Sequence, residues 1–261
     1  MAAKLYDKFD VVVSQPSHSW LTGVANLFTK EFFEIVSSNL SENGIYSQWL
    51  NLYNMDQKVL RSILKTFYTV FPHGHVFTDI GDEELIMLGS NKPLEIDMER
   101  LRALTKDPAL QKKLTQLHFD SAEAFLTNFA VSREQLWPKI QGAQINTDIN
   151  VFAEANQSNL FYSTGKKESP AEYLVEQFTG DYSAAVKGTL DAEATYDLAH
   201  EMYNAGKVEK LKVLLSRAEI SRTENSQSEK LGAQSVLAKD CLLYTSPSPR
   251  DQRGSRMPSS A

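Results

Sequence analysis

The chain has 261 residues, 42% hydrophobic and 23% charged, which is an ordinary globular composition. Its formal net charge of −6 is spread along the chain, so no basic stripe predicts a nucleic-acid partner. No apolar run approaches the roughly 20 residues that cross a bilayer, and the first residues lack the apolar core of a signal peptide. The sequence therefore predicts a cytoplasmic protein.

The first half of the chain alternates strand and helix patterns. Residues 9–14 are a short apolar, β-branched run, which predicts a strand buried on both faces. Residues 15–23 are rich in Pro, Ser and Gly and predict a loop, and apolar residues then recur at helical spacing from Leu27 to Leu40. Residues 45–50 predict a second strand, and Asp56 is placed to cap a second helix.

Two further runs, residues 75–80 and 84–88, flank a Gly-Asp pair and predict a hairpin. Strand, helix, strand, helix and then hairpin is the pattern of the second half of a doubly wound α/β sheet that an antiparallel edge strand closes. From Asp97 to Pro138 the pattern is helical, and residues 145–156 are polar and predict an extended return loop.

Residues 169–222 predict three or four short amphipathic helices. Tyr182, Ala185 and Val186 share the buried side of one of them. The turn at Gly206 resembles the inter-helix turn of a tetratricopeptide repeat, and two helical hairpins packed as a satellite are the alternative. Either arrangement would offer a helical surface to a protein partner.

The last part of the chain, residues 223–261, predicts a disordered linker and tail. Residues 241–261 look like the in-frame translation of a transposase-based sequencing adapter, and we leave them out of the fold prediction. On this interpretation Cys241, the one cysteine, does not belong to the natural protein, whose true C-terminus is expected elsewhere. Neither an internal disulfide nor a zinc site is predicted.

The most specific segment is residues 9–53, FDVVVSQPSHSWLTGVANLFTKEFFEIVSSNLSENGIYSQWLNLY. It resembles the spermidine synthase family of polyamine aminopropyltransferases, and in particular the membrane-fused bacterial branch. The resemblance covers roughly residues 5–165 and implies a class I methyltransferase-like Rossmann sheet. Residues 1–165 would then be the C-terminal half of that sheet, as a partial domain followed by the helices of 169–222.

The resemblance implies transfer of an aminopropyl group from decarboxylated S-adenosylmethionine, the co-substrate, to an amine such as putrescine. Such a displacement requires that donor and amine are held in line. It also requires removal of a proton from the ammonium, for which a carboxylate at the end of a central strand is suited. Ligands of open α/β sheets bind at the carboxyl ends of strands, where the loop after Ser14 lies.

The catalytic positions that the resemblance implies depart from the family. Gln15 occupies the position of the family's acidic residue, and His18 stands where classical members have a second Asp. A glutamine cannot accept a proton, whereas a histidine with its ordinary pKa of about 6.5 can. The alternatives are that Gln15 is a loop amide bonded to backbone and that His18 is an exposed loop residue.

The substrate-binding positions that the resemblance implies are Ser17, Trp20, Gln48, Tyr53 and Asp148. For Trp20 and Tyr53, ordinary packing of aromatic side chains at strand ends is the alternative. For Asp148, the alternative is an Asn-Thr-Asp turn that bonds its own backbone.

No cofactor or metal site is predicted within the chain. None of the twelve glycines forms a G-x-G, so a nucleotide cradle is absent from the sequence. His73 and His75 could be called a metal pair, but they lack a third ligand. We expect an N-terminally truncated fragment, with the cofactor half, and any membrane domain, upstream of Met1.

Three hypotheses of function follow. The first is a fragment of a spermidine-synthase-like transferase that is inactive in the form given. The second is a pseudoenzyme or binding module, which Gln15 favours. The third is a chain without function, because half a sheet exposes an unpaired edge and a bare apolar face.

Overall fold

The computed structural model describes residues 8–16, 19, 21, 23–53, 55–79, 83–157 and 170–224, with backbone alone for 219–224. The strands are β1 Phe9–Ser14, β2 Leu40–Asn51, β3 His73–Thr78, β4 Glu84–Ser90 and β5 Phe129–Ser132. The helices are α1 Lys30–Asn39, α2 Gln57–Val70, α3 Met98–Thr105, α4 Pro108–Gln116, α5 Ala122–Leu126, α6 Arg133–Ile140, α7 Phe152–Gln157, α8 Pro170–Gln177, α9 Ala192–Asn204 and α10 Val208–Glu224. One compact unit ends at Leu214; of the second, which begins at Leu215, only the end of α10 is described.

The strands form one open, mixed sheet in the order β1-β2-β4-β3-β5. β1 and β2 pair parallel, and β4 pairs antiparallel with both β2 and β3. β1, β2 and β3 therefore run in one direction, and β4 and β5 run in the other. The prediction of an α/β protein with a partly parallel sheet is confirmed at this level.

The two helices that connect the parallel strands lie on one face of the sheet. Phe33 of α1 and Phe67 of α2 both pack on Tyr46 of β2. Right-handed crossovers keep successive helices on one face while the strand order advances in one direction. The predicted cap of α2 is confirmed, since the Asp56 carboxylate accepts the backbone N–H of Lys58 at 2.7 Å.

The predicted helix from Leu27 to Leu40 is broken into two parts. A 3-10 turn, Ala25–Phe28, precedes α1, and Thr29 between them has extended backbone. The Thr29 hydroxyl accepts the backbone N–H of Phe32, so this residue serves as the N-cap of α1.

The prediction that β1 is buried on both faces is wrong. The side chains of Phe9, Val11 and Val13 are 52%, 62% and 68% exposed. β1 is the outermost strand of the described sheet, and only the face that carries Val12 packs against the core formed with α1 and α2. We call the face that carries Phe9, Val11 and Val13 the open face.

The β3–β4 hairpin is confirmed, but its second strand is not at the sheet edge. β4 lies between β2 and β3, because it pairs with β2 over Ile45–Asn51. The edge beyond β3 is β5, a strand within the stretch predicted to be helical, and it pairs with His75–Phe77. Pairing partners distant in sequence, rather than local pattern, produce this strand.

One loop prediction and one helix prediction also need correction. The predicted extended loop at residues 145–156 contains nearly all of α7, which is Phe152–Gln157. Tyr182, Ala185 and Val186 are buried as predicted, but they lie in a turn in which Val186 bridges to Ile96, not in a helix. A short turn joins α9 to α10, and Gly206 in this turn has a positive φ.

In the described ranges, none of the helices has both the length and the apolar character that crossing a membrane requires.

Candidate functional site

The carboxyl ends of three strands meet at one edge of the sheet. β1 ends at Ser14, β2 at Asn51 and β3 at Thr78, and the three strands are parallel. Ligands of open α/β sheets bind outside the carboxyl ends of strands. This edge is therefore the candidate site, and the predicted residues are considered by their position on it.

Gln15 lies at this edge, directly after β1, and is exposed. Side chains alternate along a strand, so Gln15 follows Val11 and Val13 on the open face. Ser17, His18 and Trp20 lie outside the described residues, and their roles stay predictions.

Gln48 is buried on the opposite face, which α1 and α2 cover. Its Oε1 accepts the hydroxyl of Tyr46, and its Nε2 donates to the carbonyl of Trp49 at 2.9 Å. Ser14, the register partner of Gln48, also hydrogen-bonds Tyr46, and burial raises the pKa of that phenol. The amide oxygen and nitrogen of Gln48 are thus both hydrogen-bonded inside the protein. Gln48 therefore stabilises this edge from the face of the sheet that α1 and α2 cover.

Sequence reasoning missed an acceptor-rich group on the open face, which we call the acceptor cluster: Trp49, Asn51 and Glu84. Trp49 Nε1 donates to Glu84 Oε2 at 2.9 Å, and Asn51 stands opposite Glu84 in the β2–β4 ladder. Asn51 is fully buried, and its Nδ2 donates to the carbonyl of Tyr53 at 3.1 Å. Its Oδ1 accepts no hydrogen bond from the part of the chain that is described. Buried oxygens without a donor are rare in native proteins and call for an explanation.

The two remaining residues that were predicted to bind substrate, Tyr53 and Asp148, lie at the periphery of this edge of the sheet. Tyr53, just beyond β2, is 43% exposed. Asp148 is exposed, and its backbone N–H donates to Glu31 Oε2 at 3.0 Å, near the start of α1. Thr147 and Asn150 exchange side chain to backbone hydrogen bonds, and the role of Asp148 stays a prediction.

Asn146, the buried member of the same segment, joins three elements. Its Nδ2 donates to the carbonyl of Phe28, and its Oδ1 accepts the N–H of Ala153, both at 3.0 Å. Its own N–H donates to Thr66 Oγ1 of α2 at 2.8 Å. These contacts hold the start of α1, α2 and α7 together, which is a structural task.

His75 is a buried histidine that hydrogen-bonds the backbone. Its Nε2 lies 2.8 Å from the carbonyl of Leu94, which can only accept, so this nitrogen carries the proton. Burial lowers the pKa of His75, against the opposing effects of the Leu94 carbonyl and Glu134. In the described ranges, no three His, Cys, Asp or Glu side chains converge as metal ligands.

Because the pKa of His75 is lowered by folding, stability should depend on pH. Below the ordinary histidine pKa of about 6.5 the unfolded chain takes up a proton that the folded protein resists. We expect the free energy of unfolding, measured by urea denaturation, to fall between about pH 7 and about pH 5, and to fall less in His75→Gln. The control His200→Gln changes an exposed histidine and should keep the wild-type slope. Equal slopes in all three proteins would contradict this prediction.

A scan against protein-family models finds no match to the chain. A search of curated proteins finds none either.

Proposed function

We propose that the acceptor cluster binds a protonated amine, in a spermidine-synthase-like chain that does not itself transfer the aminopropyl group. The observation that carries the proposal is a pair of acceptors on the same side of the sheet, the half-buried Glu84 and the buried Asn51. The Glu84 carboxylate is held by the indole N–H of Trp49, opposite the buried Asn51 whose Oδ1 has no described donor. An alkylammonium has donors and no acceptor, so a carboxylate and an amide oxygen complement it.

The other groups at this edge suit a cation as well. An indole face attracts an ammonium, and Trp49 supplies one beside the carboxylate. Gln15 adds an exposed amide at the end of the neighbouring strand. A polyamine with several ammonium groups could extend from the acceptor cluster toward this amide.

The fold supports the assignment to half of a class I methyltransferase-like sheet. β1, β2 and β3 are parallel, and α1 and α2 cover one face, as in one half of a doubly wound sheet. The decarboxylated S-adenosylmethionine would be held by the complementary half, since the sequence has no G-x-G turn to cradle it.

In this proposal the chain binds the amine but does not transfer the aminopropyl group. The attacking amine needs a lone pair, and Gln15 cannot take its proton. Glu84 could, but it lies two strands away from Gln15, about 10 Å across β2 at the usual strand spacing. The family's acidic residue corresponds to Gln15. A carboxylate about 10 Å away from it would not be in line with an aminopropyl donor that is positioned for reaction at Gln15.

A pseudoenzyme, a binding module that keeps the amine site without chemistry, is the second candidate. The uncharged Gln15 at the catalytic position favours it. If the site has decayed as a whole, Gln15→Glu in the complete parent protein will leave transfer at zero, whereas a single lost carboxylate predicts recovery of turnover.

Amine binding can be tested by calorimetric titration of the chain with putrescine. We expect Glu84→Gln to bind about 10–100-fold more weakly, because a hydrogen bond to a charged group contributes about 1.5–3 kcal/mol. The glutamine can still accept from Trp49 Nε1, so the fold should persist. The matched control Glu83→Gln removes an exposed neighbouring charge and should bind like the wild type.

An equal loss of affinity in Glu84→Gln and Glu83→Gln would mean that putrescine is attracted by general negative charge. That result would contradict binding at the acceptor cluster. A separate assay with decarboxylated S-adenosylmethionine and putrescine is expected to show no turnover. Measurable transfer would overturn the interpretation of Gln15.

A further inference from the structure

Two lysine side chains of α10 are almost completely buried. Lys207 is 6% exposed and Lys210 is 2% exposed. Lysine is rarely buried, because its ammonium group must then find oxygen acceptors inside the protein. An apolar side chain would pack the helix on the sheet with less loss of hydration. Packing alone therefore does not explain why lysines stand at these two positions.

Both ammonium groups bind at the carboxyl end of β3. Lys210 Nζ donates to Thr78 Oγ1 at 3.2 Å and to the carbonyl of Phe129, in the neighbouring strand β5, at 3.1 Å. Lys207 Nζ, one helical turn earlier in α10, donates to the backbone carbonyl of Asp79 at 2.6 Å. α10 thus contacts the edge of the sheet at which the candidate site lies.

Asp79 connects this end of β3 to Glu84 of the acceptor cluster. Its backbone N–H donates to the carbonyl of Glu84 at 3.1 Å. Its Oδ1 accepts the backbone N–H of Glu84 at 3.0 Å and that of Glu83 at 2.8 Å. Both backbone polar groups of Glu84 are thus bound to one residue, so the position of this first residue of β4 depends on Asp79.

We propose that Asp79 and Lys207 are positioning residues of the amine site, through which α10 fixes the place of the Glu84 carboxylate. This inference rests on the proposed function, because it names what holds the acceptor cluster in place. The Lys207 ammonium holds the Asp79 carbonyl, and Asp79 holds the backbone of Glu84. The Glu84 carboxylate in turn accepts the indole N–H of Trp49. A binding site is precise when further contacts hold the groups that meet the ligand.

The affinity for putrescine separates positioning from a simple effect of charge. Lys207→Met removes one positive charge, and by charge alone it should bind a cationic ligand more tightly. If Lys207 positions Glu84, the same variant should bind putrescine about 3–10-fold more weakly, which is the effect of one lost hydrogen bond. The control Lys212→Met removes the same charge from an exposed position of α10 and should not bind more weakly than the wild type. Tighter binding by Lys207→Met would overturn the proposal.

Asp79 offers two variants of equal charge. Asp79→Asn and Asp79→Ala both remove the carboxylate, but only the asparagine keeps an oxygen that can accept the backbone N–H groups of Glu83 and Glu84. We expect Asp79→Ala to bind putrescine about 3–10-fold more weakly than Asp79→Asn does. Equal affinities in the two variants would overturn the role of Asp79.

The indole N–H of Trp49 reports the position of the Glu84 carboxylate in the absence of any amine. The chain has three Trp residues, and Trp49→Phe assigns this resonance in ¹H–¹⁵N NMR spectra of the full chain. We expect the resonance to move more in Lys207→Met and Asp79→Ala than in Lys212→Met and Asp79→Asn. Circular dichroism shows whether each variant is folded, and the Asp79 pair tests the proposal even if Lys207→Met does not fold.

The NMR and binding measurements distinguish failure of this inference from failure of the proposed function. If Lys207→Met and Asp79→Ala leave the indole resonance of Trp49 in place, the positioning role is wrong, whether or not putrescine binds. If the resonance moves but the wild-type chain does not bind putrescine, α10 does position Glu84, and the proposed amine site is wrong instead.

Discussion

Replacing Phe67 by alanine is expected to lower the free energy of unfolding by about 3–5 kcal/mol. Phe67 is fully buried at the centre of the face that α1 and α2 cover. Its ring lies 5.2 Å from that of Phe33, 5.7 Å from Tyr46 and 4.8 Å from Phe71, measured between centroids. Removing it leaves a cavity among large rings that can collapse only in part.

Urea denaturation measures this loss, and Ile35→Ala is the control. Ile35 belongs to the same layer of helices but is mostly exposed, so its truncation should change stability by less than about 0.5 kcal/mol. Similar losses in the two variants would mean that the aromatic cluster does not form the core of the sheet.

The elements that sequence could predict are those with local signals. β1, the start of α2 and the β3–β4 hairpin were found from an apolar run, a capping aspartate and a Gly-Asp pair. β5 was missed because its four residues, Phe129–Ser132, lie in a helical pattern and become a strand only by pairing with β3. The place of β4 inside the sheet likewise depends on distant partners.

The burial of β1 shows a second limit of structure prediction from sequence. An apolar, β-branched run indicates a strand, but how many of its faces are covered depends on which other elements pack on it. Val12 meets the core, whereas Val11 and Val13 remain exposed.

For the candidate site, Gln15 and Gln48 were both predicted from one continuous segment of the sequence, residues 9–53. The structure separates them onto opposite faces of the sheet. The acceptor cluster could not be found in this way, because Asn51 and Glu84 are 33 positions apart and meet only through the β2–β4 register. The isolated Asn51 Oδ1 is visible only once its surroundings are known.

Among the glycines that the structure describes, Gly74 is the one at which an added methyl group is expected to have the largest effect. A Cβ at Gly74 would lie 1.9 Å from the backbone carbonyl oxygen of Leu88, and backbone cannot move aside as a flexible side chain can. Gly74 also has a φ of +155°, which side-chain-bearing residues rarely adopt. Since Gly74 pairs with Gly89 in the centre of the sheet, relieving the clash must part β3 from β4.

We therefore expect Gly74→Ala to lose more than about 4 kcal/mol of the roughly 5–15 kcal/mol that stabilises an ordinary domain. Circular dichroism and urea denaturation measure this effect. Gly142→Ala adds the same methyl group where no atom lies within 4 Å, and it should fold like the wild type. If Gly74→Ala retained wild-type stability, the β3–β4 pairing could not have the register described. The antiparallel strand that positions Glu84 opposite Asn51 would then have to be placed differently, and the acceptor cluster would fail together with the hairpin.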